Sequence, residues 1–137
     1  HPGGSLGRRL LLRIADVMHK DEQIPLVSAQ ASIKQALLEI SAKGLGMTGI
    51  QAADGSLAGI FTDGDLRRIL DLRVDIHQTS IAEVMTKNCI TAKAEMLAAE
   101  ALKIMETKKI NSLLVVDADN IVIGAFNMHD LLRAGVL

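Results

Sequence analysis

Residues 29–68 align with residues 94–133 at a constant offset of 65 and without a gap, and eleven of the forty pairs are identical. The identities include Ala36/Ala101, Leu37/Leu102, Lys43/Lys108, Asp54/Asp119, Gly59/Gly124, Phe61/Phe126, Asp65/Asp130, Leu66/Leu131 and Arg68/Arg133. A unit present only twice does not make a solenoid, in which three or more units stack to bury a continuous core. Two copies close on each other about a pseudo-two-fold axis instead. Clefts form where such copies meet, and clefts of that kind are natural ligand sites.

The whole chain has 137 residues, enough for one domain or for two small halves sharing a core. With two Phe and neither Trp nor Tyr, that core must be built from aliphatic side chains and Met. The formal net charge is −1 and no basic stripe is present, so nucleic acid is not an expected partner. No apolar run reaches the ~18–20 residues of a membrane span, so no membrane partner is expected. Cys89 is the single cysteine, which excludes a disulfide framework and points to a cytoplasmic protein. His19, His77 and His129 lack metal-ligand spacing, so no metal or cofactor is expected. No nucleophile–base set and no Gly-Lys-Ser/Thr phosphate loop is present, so this stretch is not expected to be an enzyme by itself.

Each copy reads as β-α-β-β-α. In the first, Ile24 to Val27 is a short strand bounded by Pro25. Ser32 and Gln35 form a capping box ahead of a helix that stops at Gly44. Strands Met47 to Gln51 and Leu57 to Phe61 are joined through Asp54-Gly55, and a second helix spans Asp63 to Leu72. The second copy repeats the order. Helix Leu97 to Lys108 precedes strand Ser112 to Val116, a turn at Asp119-Asn120, strand Ile121 to Phe126 and helix Met128 to Ala134. The pairs Val17-Met18 and Val84-Met85 are 67 apart, so the first copy carries two extra residues before Ile24. Gly46 and Gly49 mark a close approach, most simply of the other copy. Cys89 is expected to be a small buried hydrophobe.

The segment Gly59-Ile60-Phe61-Thr62-Asp63-Gly64-Asp65-Leu66 sits where a strand ends and a helix begins. Thr62 and Asp65 can close a capping box. The same groups can hold a ligand, with a phosphate at the helix start and a ribose diol on the carboxylate. The second copy has Asn127 and Asp130 at these places, with His129 beside them. The late-helix Arg68 and Arg133 complement the helix dipole, with contact to an anionic ligand as the alternative.

The doubled unit, the Val-Met pairs and the Gly-x-Phe-Thr-x-x-Asp ending resemble a pair of CBS domains, the Bateman module. The resemblance implies an α/β (α+β) fold of two β-α-β-β-α repeats about a pseudo-two-fold axis, with repeats at 16–75 and 76–137. It implies nucleotide clefts in which Thr62 contacts phosphate and Asp65 contacts ribose, with Ile24, Pro25, Leu26 and Val27 framing the base. Asn127, His129 and Asp130 would line the other cleft, where the missing hydroxyl puts phosphate binding in question. It also implies a homodimer, since paired CBS domains commonly assemble as discs.

The opening His1-Pro2-Gly3-Gly4-Ser5-Leu6-Gly7-Arg8-Arg9-Leu10 and the run Gly124 to Val136 are similar to D-arabinose 5-phosphate isomerases, in which a sugar-isomerase (SIS) domain precedes a CBS pair. The lack of an initial Met agrees with a piece of a longer protein, and residues 1–15 would be the junction with that SIS domain. The resemblance implies a parent that interconverts D-ribulose 5-phosphate and D-arabinose 5-phosphate on the way to Kdo and lipopolysaccharide. His1 would be a catalytic acid/base residue of the parent only. The effector implied is AMP, ATP or the end product CMP-Kdo. A purely structural oligomerisation module, or the CBS pair of a paralogous isomerase of sugar-alcohol metabolism, are the alternatives.

Overall fold

The computed structural model describes Gly7 and residues 10–136. His1 to Leu6, Arg8, Arg9 and Leu137 lie outside the described residues.

The 65-residue offset is reproduced element by element. In the first unit β1 is Leu26–Ser28, α2 is Ile33–Lys43, β2 is Met47–Gln51, β3 is Leu57–Thr62 and α3 is Asp63–Ile69. In the second, β4 is Thr91–Ala92, α4 is Ala98–Lys108, β5 is Ser112–Val116, β6 is Val122–Asn127 and α5 is Met128–Arg133. A short α1, Ile14–Val17, precedes both. Each unit forms a three-stranded sheet, in the orders β1-β2-β3 and β4-β5-β6. The first pair of each sheet is parallel and the second antiparallel, with a register shift at Ile50/Gln51 in one sheet and Val115/Val116 in the other. The fold is thus mixed α/β, as the repeat pattern predicts.

Local chemistry sets the ends of these elements. Ser32 Oγ accepts from the Gln35 amide while Gln35 Oε1 accepts from the Ser32 amide, and Gly44 closes α2 in the left-handed region at φ 73°. The strand expected at Ile24 to Val27 starts later. Ile24 caps a 3-10 turn at Asp21–Gln23, which absorbs the two extra residues of the first copy, and Pro25 has no N–H for a ladder. The helix expected over Asp63 to Leu72 breaks at Ile69 into a 3-10 turn, Leu70–Leu72, ended by Arg73 at φ 54°. Leu97 is the cap of α4 rather than its first residue.

Three apolar clusters hold the molecule together. One lies within the first unit around Ile33, Ile50 and Phe61, and one within the second around Met105, Leu113 and Phe126. The third joins the sheets and draws Leu45, Met47 and Ile60 together with Leu114 and Ala125. A Cβ on Gly49 would stand 3.0 Å from a methyl of Leu114, its own repeat equivalent, and 2.9 Å from one of Leu26. Gly49 therefore leaves room for the facing copy, so the glycine serves packing between repeats. Repeat-equivalent positions touch only near the axis that relates them.

The segments before β1 and β4 cross-link the halves. Fully buried Ile14 packs in the second unit's cluster and fully buried Ile81 in the first unit's. The Ile14 amide donates to Met96 O and the Ile81 amide to Ala31 O, equivalent contacts at the 67 and 65 offsets. His19 exchanges backbone bonds with Ala125 as Thr86 does with Ile60. The chain before β1 is thereby stitched to the second unit.

Candidate functional site

One cavity of about 570 Å³ opens between the units. Its walls include the start of α3 (Thr62, Asp63, Gly64, Asp65), the approach to β2 (Leu45, Gly46), the segment before β4 (Thr86, Asn88, Cys89, Ile90) and the turn from α4 to β5 (Lys109 to Ser112). Both repeats contribute. Gly46 is needed at its wall because its φ of 79° suits glycine.

The capping box expected at Thr62 and Asp65 is present. The Thr62 amide donates to Asp65 Oδ2 at 2.9 Å and the Asp65 amide to Thr62 Oγ1 at 3.1 Å. This fixes the carboxylate by one oxygen. The other, Oδ1, accepts from Arg68 at 2.9 Å and from Thr86 Oγ1 at 3.2 Å. Both of these partners are exposed, so a ligand hydroxyl can replace them at small cost.

Asp130 has the same box with Asn127, the two bonds each being 2.9 Å. Its free oxygen is placed differently. Oδ1 faces His19 Nε2 at 2.9 Å and Arg133 at 3.6 Å, and the residue is 8% exposed. Burial lowers the affinity of the His19 ring for a proton, but the hydrogen bonds to Asp130 and Gln23 and the charge of Asp130 outweigh it, and its pKa is raised from the ordinary value. The repeat-equivalent carboxylates are thus unequal, with Asp65 turned toward an open cavity and Asp130 held by an imidazole.

The structure brings Thr62 and Asp65 together on the cavity wall. Ile24, Pro25, Leu26 and Val27 do not line it. Their repeat equivalents Cys89 and Ile90 do, because the segment before β4 lies against the first unit. Arg68 and Arg133 each turn back to the carboxylate of their own helix. Asn127 is a cap and His129 is exposed. Cys89 is half-buried on the cavity rather than fully enclosed, and burial pushes its thiol pKa up. Asn88, Ile90 and Lys109 to Ser112 escaped the sequence reading, which took Cys89 for core rather than cavity wall, and no signal in the sequence marks these segments as changing partners. Among the described residues no cluster of His, Cys, Asp and Glu could hold a metal, and no helix is long and apolar enough to cross a membrane.

Two facing β-α-β-β-α units with a cleft between them are the fold that this chain shares with solved CBS-domain pairs. The CBS domain family model matches residues 81–137. The fold is shared with the CBS domain pair of protein MJ0100 in complex with 5'-methylthioadenosine and S-adenosyl-L-methionine. That match has TM-score 0.79 and 24% identity, covering 90% of this chain and 94% of the other. CBSX2 in complex with AMP gives TM-score 0.77 and 21% identity, covering 91% and 96%.

More narrowly, the whole chain is similar to arabinose 5-phosphate isomerase KdsD. It is 60% identical to the Pseudomonas aeruginosa protein and 52% identical to that of Escherichia coli K12. It spans 42% of the length of each.

Proposed function

We propose that this chain is the nucleotide-sensing CBS pair of an arabinose 5-phosphate isomerase, with repeats at 16–75 and 76–137 and a SIS catalytic domain ahead of residue 15. The observation that carries the reading is that one cavity holds both Thr62 and Asp65 and is walled by both repeats. A ligand there touches both units at once, so its binding energy depends on their relative placement. That dependence is the requirement for an effector to shift a conformational equilibrium. Two structural neighbours are in complex with adenosine compounds, and the KdsD relatives supply the isomerase reading.

The chain itself performs no chemistry in this reading, and the cytoplasmic parent interconverts D-ribulose 5-phosphate and D-arabinose 5-phosphate. CMP-Kdo is the favoured effector because it combines a ribose, a phosphate and a sugar carboxylate and would report the level of the end product. AMP and ATP are its competitors. Residues 12–19, stitched to the second unit, are the route by which a change of angle reaches the catalytic domain. Self-association of the pair uses exposed apolar side chains such as Leu70, Leu72 and Leu132.

Calorimetric titration with CMP-Kdo, CMP, AMP and ATP, beside an Asp65→Ala variant, tests this. Saturable binding that the variant loses is the expected result. Absence of heat with all four would replace the sensor by an assembly module.

A further inference from the structure

The two helix-start carboxylates, Asp65 and Asp130, are met by unlike side chains from matched points of the backbone. Val17-Met18 and Val84-Met85 stand 67 residues apart, which sets His19 opposite Thr86. The backbones agree with that pairing. His19 exchanges amide bonds with Ala125 and Thr86 with Ile60, and Ala125 and Ile60 are themselves repeat equivalents. A Cβ on Gly124 would meet the Met18 side chain and His19 O, as one on Gly59 would meet the Met85 side chain and Thr86 O. Each side chain then reaches the carboxylate of the unit it lies against.

Thr86 brings a small, exposed hydroxyl to Asp65 Oδ1 at 3.2 Å. His19 brings a ring to Asp130 Oδ1 at 2.9 Å. That ring is held from its other side, with Nδ1 3.0 Å from Gln23 Oε1. Gln23 belongs to the 3-10 turn Asp21–Gln23, where the first copy carries its two extra residues. Two departures from the repeat, a histidine and an insertion, thus meet in one contact. The carboxylate beneath it is the more enclosed, its side chain 7% exposed against 15% for Asp65. Helix capping requires none of this. Asp65 and Asp130 close the same box through Oδ2, whatever sits on Oδ1.

We propose that His19 is an internal ligand of the second cleft. It holds Asp130 Oδ1 where a ligand hydroxyl would otherwise bind, and leaves the Asp65 cavity as the one open to a nucleoside. His19 thereby decides which half of the module senses. This rests on the nucleotide-sensing reading and confines it to one cleft. The physical reason is competition. The chain presents the imidazole to the carboxylate at an effective concentration of roughly millimolar or above, and Gln23 orients it. Its bond to the carboxylate is charge-assisted, so a free hydroxyl gains little by displacing it. At Asp65 the competitors are Thr86 and Arg68, both exposed.

Amide NMR shifts on adding adenosine test this. Adenosine carries the ribose hydroxyls without a phosphate, so Asn127 in the place of Thr62 does not enter the comparison. Wild type should show shifts around Asp63 to Arg68 alone. His19→Thr copies Thr86 and should add a second set around Asn127 to Arg133. His19→Gln keeps a side-chain donor for Asp130 and should behave as wild type, which separates emptying the cleft from disturbing the fold. The double variant His19→Thr with Asp130→Asn keeps an acceptor for the α5 cap and should lose the second set. Shifts at both carboxylates in wild type overturn the proposal, and so does a His19→Thr variant that gains none at Asp130. A second set in His19→Thr with no shifts in wild type supports the role of His19 and sinks only the sensing reading of the Asp65 cavity.

Discussion

His19 Nε2 lies 2.9 Å from Asp130 Oδ1, across 111 residues of chain. The other ring nitrogen, Nδ1, faces Gln23 Oε1 at 3.0 Å. An imidazole donates through both nitrogens only when protonated. The contact joins the segment before β1 to the carboxylate of the second repeat, and it is strongest as an ion pair.

That geometry makes stability depend on pH. The His19 pKa is raised in the folded chain, the hydrogen bonds to Asp130 and Gln23 outweighing the larger single effect of burial. A raised folded value gives stability that is fully present below the unfolded His pKa of about 6.5, and that fades as pH rises through the folded value. His19→Ala should cost about 1–2 kcal/mol near pH 6 and less near pH 9, where a neutral hydrogen bond is all that is lost. Urea unfolding of wild type and variant at both pH values measures it. Equal losses at the two would show that protonation contributes nothing.

Asp65 has two separable roles on its two oxygens. Oδ2 caps α3 and Oδ1 faces the cavity. Asp65→Ala removes both, so it should lower stability by about 1 kcal/mol and abolish AMP binding. Asp65→Asn keeps an acceptor for the cap and loses the charge at the cavity. It should therefore melt close to wild type while still binding AMP poorly. If Asp65→Asn binds normally, the carboxylate does not hold the ligand.

Cys89 is the chain's single cysteine and lines the cavity. Its repeat equivalent is Ile24, so a thiol reagent reports on the Asp65 cavity alone. Burial raises the thiol pKa, and only the thiolate reacts. Alkylation by iodoacetamide at neutral pH should be slower than for a free cysteine, and its rate should still climb above the usual thiol midpoint. Saturating AMP should slow it further. Mass spectrometry over a pH series follows both effects, and an AMP-insensitive rate would place the nucleotide elsewhere.

The sequence made the repeated elements legible because a constant offset constrains each of them twice. Met47–Gln51 and Ser112–Val116 appear where pattern alone puts them, and the Thr62–Asp65 box closes as its spacing demands. Hydrogen bonds within three or four residues are local, so a sequence can show them. The partners of the carboxylates were not legible. Thr86 reaches Asp65 and His19 reaches Asp130 only because the segments before β4 and β1 lie where they do. Nothing local fixes such contacts. The CBS resemblance places Ile24 to Val27 beside Thr62, in the same repeat. The cavity instead uses Cys89 and Ile90, their equivalents in the other repeat, because the segment before β4 lies against the first unit. Lys109 was passed over because a lysine after a helix is ordinary in sequence, and its left-handed backbone is visible only in three dimensions.

The exchange of segments has a consequence that tests it directly. Ile14 comes before the first repeat in the chain but is fully buried in the second unit's cluster, beside Met105, Leu113 and Phe126. Removing its side chain leaves a cavity there, and Ile14→Ala should cost about 2–5 kcal/mol. Ile81→Ala should cost a similar amount, because Ile81 fills the equivalent place against Ile33 and Phe61. The two losses fall in different places. Hydrogen exchange in Ile14→Ala should quicken most in α4 and β5, and in Ile81→Ala most in α2 and β2. Gly124 gives an independent check, since a Cβ there would collide with the Met18 side chain. Gly124→Ala should therefore loosen the same N-terminal segment as Ile14→Ala, by pushing it off rather than by hollowing its socket. If Ile14→Ala instead quickens exchange in α2 and β2, the N-terminal segment belongs to the first unit. The proposed route from the second unit to a catalytic domain would then be lost with it.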